Sequence, residues 1–254
     1  MTIKTRTGDG VAVIEIARPA KKNAITVAMY QQLADAVIAA GRERGVYSLL
    51  VHGQPDIFTA GNDLEDFLKN PPADMNAPVF QFMTALANAE KPVVAAVNGA
   101  AVGIGTTLLL HCDLVYCADN AKFSMPFVSL GLCPEFASSV LLPLAAGYGR
   151  AAEKLLLSDP ISAEEAVEMR IAHRILPPGE VIAYAQKQAQ RFAALPPNSV
   201  RETKRLLRAG RKKAVDAAMA DESQTFARML HGAEAKEAFT AFLERRKPDF
   251  SAAP

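Results

Sequence analysis

Apolar positions come in short runs through the first half of the chain and at helical spacing through the second. The run 11–17, Val-Ala-Val-Ile-Glu-Ile-Ala, is rich in β-branched residues and stops at Arg18-Pro19, which predicts a strand. Thr26 is placed to cap a helix over 27–40, whose Met29, Leu33, Ala36, Val37 and Ala40 fall on one face. Further strands are predicted at 48–52, 92–97 and 114–117, with a short extended piece at 122–124. Short apolar strands alternating with helices predict an α/β fold with much of its sheet buried. Three prolines within 70–78 cannot continue a helix and predict a loop. From Ser162 onward the pattern turns helical, over 163–170, 180–194, 198–210, 213–230 and 234–246. Apolar faces such as Phe226, Met229 and Leu230, or Phe239, Phe242 and Leu243, are too broad for lone helices. They are expected to pack on the core or on another subunit.

Length and charge narrow the classes. A chain of 254 residues has ample material for one large α/β domain or two small ones. A net charge of +1 argues against nucleic acid as the main partner. No apolar run is long enough to span a membrane, and Met1-Thr-Ile-Lys4 lacks an apolar signal core, so the expected location is cytoplasmic. Cys112, Cys117 and Cys133 form no Cys-x-x-Cys pair and read as buried thiols. His111-Cys112-Asp113 has no second cluster of ligands near it in the sequence, and no metal is expected. The stretch 201–213 carries seven basic residues and one acid, Glu202. A solvated helix face is the first explanation, a phosphorylated ligand the second and nucleic acid a distant third.

Candidate chemistry centres on one carboxylate. Glu135 is the single charge between Phe123 and Ala146. A carboxylate in apolar surroundings has a raised pKa and becomes a usable proton shuttle; the plain alternative is a Glu at a helix N-terminus, exposed to water. Two glycine turns accompany it. One is Phe58-Thr-Ala-Gly-Asn-Asp-Leu64, a strand exit running into a helix. The other is Asn98-Gly-Ala-Ala-Val-Gly-Ile-Gly-Thr-Thr107, in which the residues after Gly103 begin a helix with outward N–H groups. A dinucleotide fold competes weakly, because Gly-x-x-x-Gly-x-Gly is the wrong spacing and the 104–111 helix is short for a crossover.

These motifs resemble the enoyl-CoA hydratase/isomerase, or crotonase, superfamily. The resemblance runs from Arg18-Pro19…Asn23-Ala-Ile25 through Phe58-x-Ala-Gly-x-Asp63 to Lys91-Pro-Val-Val-Ala-Ala-Val-Asn-Gly99 and Cys112-Asp113. It implies a crotonase-like spiral of ββα units over 1–195. A C-terminal helical region at 196–254, part of the same structural unit, would build homotrimers, often paired into hexamers. It also implies an acyl-CoA thioester substrate, with coenzyme A part of the substrate and no separate cofactor. The thioester oxygen would lie on the backbone N–H groups of Asn62 and Ile104, Gly103 shaping the second turn. Lys22, Ala24, Ile25, Ala60, Asp63 and Leu64 would cradle or contact the substrate, with Phe127 beside it.

Departures from the family pattern sort the chemistry. The two glutamates used by its hydratases correspond to Thr107 and Phe127, neither of which activates water. Glu135, in Cys133-Pro-Glu-Phe-Ala-Ser-Ser139, instead resembles the single glutamate of Δ3,Δ2-enoyl-CoA isomerases of the peroxisomal type, as does Gly61-Asn-Asp-Leu64. That resemblance implies fatty acid metabolism and movement of a double bond from C3 to C2 through a dienolate. The alternatives are hydratase-like chemistry, a dehalogenase of the kind that places Asp at this position, and a non-catalytic binding protein of the same fold. The dehalogenase reading suffers from the lack of any Trp. Asp63 reads equally as a dipole partner, Ser138 and Ser139 as hydrogen-bond donors or packing, and Met75, Phe80 and Met83 as acyl-pocket lining or plain core.

Overall fold

Strand runs with apolar residues on both faces need cover on both, and the chain supplies it with two sheets and a coat of helices. The computed structural model describes residues 2–72, 74 and 76–252. Strands β1 (Ile3–Gly8), β2 (Val11–Ile16), β3 (Ser48–His52), β5 (Val93–Val97), β7 (Leu114–Ala118) and β9 (Arg174–Leu176) form a six-stranded sheet in that order. It is parallel apart from the β1–β2 hairpin. Three short strands, β4 (Ile57–Thr59), β6 (Ala100–Val102) and β8 (Lys122–Ser124), form a second, parallel sheet. Three successive turns of chain, β3–β4, β5–β6 and β7–β8, thus give one strand to each sheet, the ββα spiral expected of a crotonase fold.

Alternation divides the large sheet between two cores. Val11, Val13, Leu50, Val94 and Ala96 face helix α8 (Val181–Gln190) through its Val181, Ala185 and Ala189. Ala12, Ile14, Ile16, Leu49 and Val51 belong to the main core with helices α1 (Val27–Arg42) and α3 (Pro78–Ala87). Helix α1 starts where expected, its Thr26 hydroxyl accepting from the Met29 N–H. The 70–78 loop separates α2 (Leu64–Lys69) from α3, whose first residue is Pro78, where a missing N–H is harmless. Met75 lies outside the described residues.

Several elements differ from the sequence expectation. After α4 (Ile104–Thr107) the chain tightens into a 3-10 turn over Leu108–His111, so the 104–111 helix has only one α-turn. Helices α5 (Ser138–Ala146) and α6 (Tyr148–Leu156) precede α7 (Ala163–Glu168), the first of the predicted helical series. The two stretches 198–210 and 213–230 are one 34-residue helix, α9 (Pro197–Leu230), followed by α10 (Ala233–Glu244). Gly210 does not break it, since a lone glycine costs a helix only about 1 kcal/mol and no proline follows. Basic residues at 201–213 are not all a solvated face. Lys204 is buried and donates to the Lys91 carbonyl and Asp113, both at 2.7 Å, while Arg208 donates to the His111 carbonyl at 2.7 Å. Among the described residues no helix is long and apolar enough to cross a membrane.

Candidate active site

Parallel pairing of β4 with β6 brings the two glycine turns out at the same end of the small sheet. Gly61 has φ +84°, and a Cβ there would lie 2.7 Å from the Val102 carbonyl oxygen. Gly105 is packed as tightly, its missing Cβ 2.5 Å from the Thr59 methyl. The turns are therefore interlocked, each glycine making room for the neighbouring strand. Beyond them, the N–H groups of Asn62 and Ile104 donate to no acceptor among the described residues. Ile104 is buried and Asn62 half-buried, and buried donors are rarely left so. Because α4 is a single turn, these are two local donors rather than the end of a long helix dipole.

The Asn62 side chain is fixed from behind. The Tyr30 hydroxyl, from α1, donates to its Oδ1. Burial first, and the charge of Glu135 second, push the Tyr30 phenol well above its usual pKa, which keeps it a donor. Tyr30 escaped the sequence reading although a tyrosine on an apolar helix face needs a partner for its hydroxyl.

Glu135 projects from a turn whose next two residues, Phe136 and Ala137, have φ of 59° and 55°. It is 7% exposed, and burial, reinforced by the charge of Glu222, pushes its carboxyl up to about 8, with the Thr107 hydroxyl opposing. That hydroxyl donates to Oε1 at 3.3 Å. Glu135 and Asn62 share a cavity of about 20 Å³ with Phe67, Val79, Phe80, Met83, Ser223 and Phe226. Phe127 is buried in the main core at the head of a 3-10 turn over Val128–Leu130. Larger grooves, of about 260, 610 and 1100 Å³, open near the 87–92 segment, α1 and α9, but Glu135 is not among their walls.

The expected substrate cradle is a second interlocked turn. Ile25 pairs with Asn62: its N–H donates to the Gly61 carbonyl at 2.8 Å and its carbonyl accepts from Asp63 at 2.9 Å. The Ala60 N–H donates to the Lys22 carbonyl, and the Ala24 carbonyl accepts from Arg18. Lys22 is exposed; Leu64 opens α2 and is half-buried. Asp63 is already engaged, capping α2 through Asp66 N–H and paired with Arg18 at 2.6 Å. Desolvation works against its ionisation, but the Arg18 and Asp66 hydrogen bonds outweigh it and hold its pKa below the usual range.

Three side chains brace the acid turn. Ser138 donates its hydroxyl to the Glu135 carbonyl at 2.6 Å. His111, pushed down to about 3 chiefly by burial and so neutral, stacks on Phe136 at 3.9 Å between centroids, its Nε2 2.8 Å from the Phe136 carbonyl oxygen. Its ring is thus spent on the turn. Glu222, from α9, accepts from the Ala137 and Ser139 N–H groups at 2.5 and 2.9 Å and from the Ser139 hydroxyl. A glutamate amid the charges of a long helix reads as solvated, and only tertiary structure brings it here.

A profile of the enoyl-CoA hydratase/isomerase family matches residues 6–253. The chain belongs to the enoyl-CoA hydratase/isomerase family. Members similar to it differ in chemistry. Crotonyl-CoA hydratase of Syntrophomonas wolfei is 35% identical, with 94% of each chain covered. Human enoyl-CoA delta isomerase 2 is 32% identical over 96% of this chain and 64% of its own length. Among solved members, an enoyl-CoA hydratase/isomerase from Pseudoalteromonas atlantica T6c superposes with a TM-score of 0.94 at 39% identity, covering 99% of this chain and all of that one.

Proposed function

We propose that this acyl-CoA-processing enzyme is a Δ3,Δ2-enoyl-CoA isomerase with Glu135 as its proton shuttle. The observation that carries the reading is one buried carboxyl, raised to about 8, sharing a cavity with Asn62 while Thr107 and Phe127 leave the water-activating positions without acids. The C2 proton of a 3-enoyl thioester is acidified by both carbonyl and alkene, so one base removes it. The negative charge passes to the thioester oxygen, where the Asn62 and Ile104 N–H groups stabilise it, each by roughly 3 kcal/mol. The same carboxyl returns the proton at C4, and the double bond ends conjugated at C2. Apolar walls exclude the water that would compete for the intermediate.

A volume of about 20 Å³ holds a single water, so an acyl chain enters only as Phe67, Phe80 or Phe226 moves. Coenzyme A then belongs to the substrate, seated by the 22–25 and 60–64 turns. A trimer or hexamer completes the reading, using apolar side chains left exposed on α9 and α10.

The test is conversion of 3-hexenoyl-CoA to the 2-enoyl thioester, followed by ultraviolet absorbance. Glu135→Gln loses about 10²–10⁴-fold in kcat with the fold intact. In the native protein kcat/KM climbs with pH up to about 8, because only the ionised carboxyl is a base. Turnover that survives the substitution places the base elsewhere, and hydration of crotonyl-CoA in place of isomerisation returns the chain to the hydratases.

A further inference from the structure

Glu135 sits on a turn the backbone does not favour. Phe136 and Ala137 both occupy the left-handed region, which residues with a Cβ rarely adopt. Something must repay that. Two N–H groups within this turn, of Ala137 and Ser139, end on one buried carboxylate, and the Ser139 hydroxyl ends there too. It comes from α9, and its helix neighbours Ser223 and Phe226 line the cavity that holds Glu135. Glu222 is not itself a wall of that cavity, so it works through the turn rather than on the substrate.

We propose that Glu222 is the positioning residue of this site, holding the 135–139 turn in the conformation that puts the Glu135 carboxyl in the cavity beside Asn62. This rests on the isomerase reading for its catalytic consequence but not for its structural one. Glu222 then also acts on Glu135 across the turn. The Glu222 charge disfavours ionisation of Glu135 and so keeps a strong base on hand. Other groups on the pair are Asp221 beside Glu222 on α9, Cys133 before the turn, Tyr30 on α1 and the Thr107 hydroxyl on α4. Arg228 reaches the same region through Cys133. Cys133 and Tyr30 both have raised pKa values and stay neutral, which leaves Glu222 as the nearby charge that Glu135 feels most after burial.

The experiment compares native protein with Glu222→Gln and Glu222→Asp, by carboxyl-carbon NMR titration of Glu135 (assigned with Glu135→Gln) and by kcat and KM on 3-hexenoyl-CoA. Glu222→Gln removes the charge and one acceptor. The Glu135 midpoint falls by roughly half to one unit, and the alkaline rise in rate moves to lower pH with it. Glu222→Asp keeps the charge but withdraws it from the turn; kcat drops about tenfold at unchanged KM and the Ala137 and Ser139 amide resonances shift. A Glu135 midpoint and kcat equal to native in a folded Glu222→Gln overturn the proposal. So do native kcat and native amide shifts in Glu222→Asp, the variant that decides if the first fails to fold. Should the native protein turn over no enoyl-CoA, the titration and amide shifts still decide the role of Glu222, and only the isomerase reading falls.

Discussion

Glu135 titrates at about 8 in the folded chain and in the ordinary carboxylate range when unfolded. Between those values the native state holds a proton that the unfolded chain has released. Its contribution to stability is therefore full below the unfolded value and declines as pH rises through about 8. On the proposed mechanism chemistry runs the other way, since the ionised form is the base. Replacing Glu135 by Gln removes the dependence. Above pH 8 that variant should melt on the order of 5 °C higher than native protein, with little difference at pH 5, in calorimetric scans. Equal melting temperatures at both pH values would show that the carboxyl is not buried in solution. The sequence made Glu135 legible because a lone charge in a long apolar stretch demands a reason. It hid Glu222, since a helix rich in charges gives no sign of which one is buried.

Helix α9 is held to the body by cations that reach backbone carbonyls and one acid. Asp113 accepts from the Val93 N–H at 2.7 Å, from Lys204 at 2.7 Å and from Arg208 at 3.2 Å. Burial, the largest influence, pushes Lys204 down to about 8 despite Asp113, so the ammonium depends on that partner. Asp113→Ala strips the buried amine of its counter-ion, pushes its pKa further down and leaves only the Lys91 carbonyl as partner; it should cost about 3 kcal/mol, read by urea unfolding, and a loss under 1 kcal/mol would mean that water solvates Lys204 freely. Elements were legible in proportion to how apolar they are. Strands β2, β3, β5 and β7 are buried runs and stood out. Strand β1 has five exposed residues of six, and β4, β6 and β9 have three residues each, too few to show a period.

Architecture was legible through motif order, while the proposed assembly rests on apolar surplus alone. Leu206, Leu207, Phe242 and Leu243 are each more than half exposed on α9 and α10. Large apolar side chains left exposed on these helices are the basis for the proposed subunit contact. Sedimentation should give three or six chains per particle, and Phe242→Glu should reduce it to single chains; a monomeric native protein at micromolar concentration removes the oligomer from the proposal. One arrangement has a consequence in time. Glu222 lies 83 residues beyond Ser139, whose hydroxyl and N–H it receives. During synthesis the acid turn leaves the ribosome before Glu222 does, with nothing yet to hold it in the left-handed region. On the proposed role of Glu222 the site is finished only once α9 docks, so an incomplete product would carry the acid but not its aim.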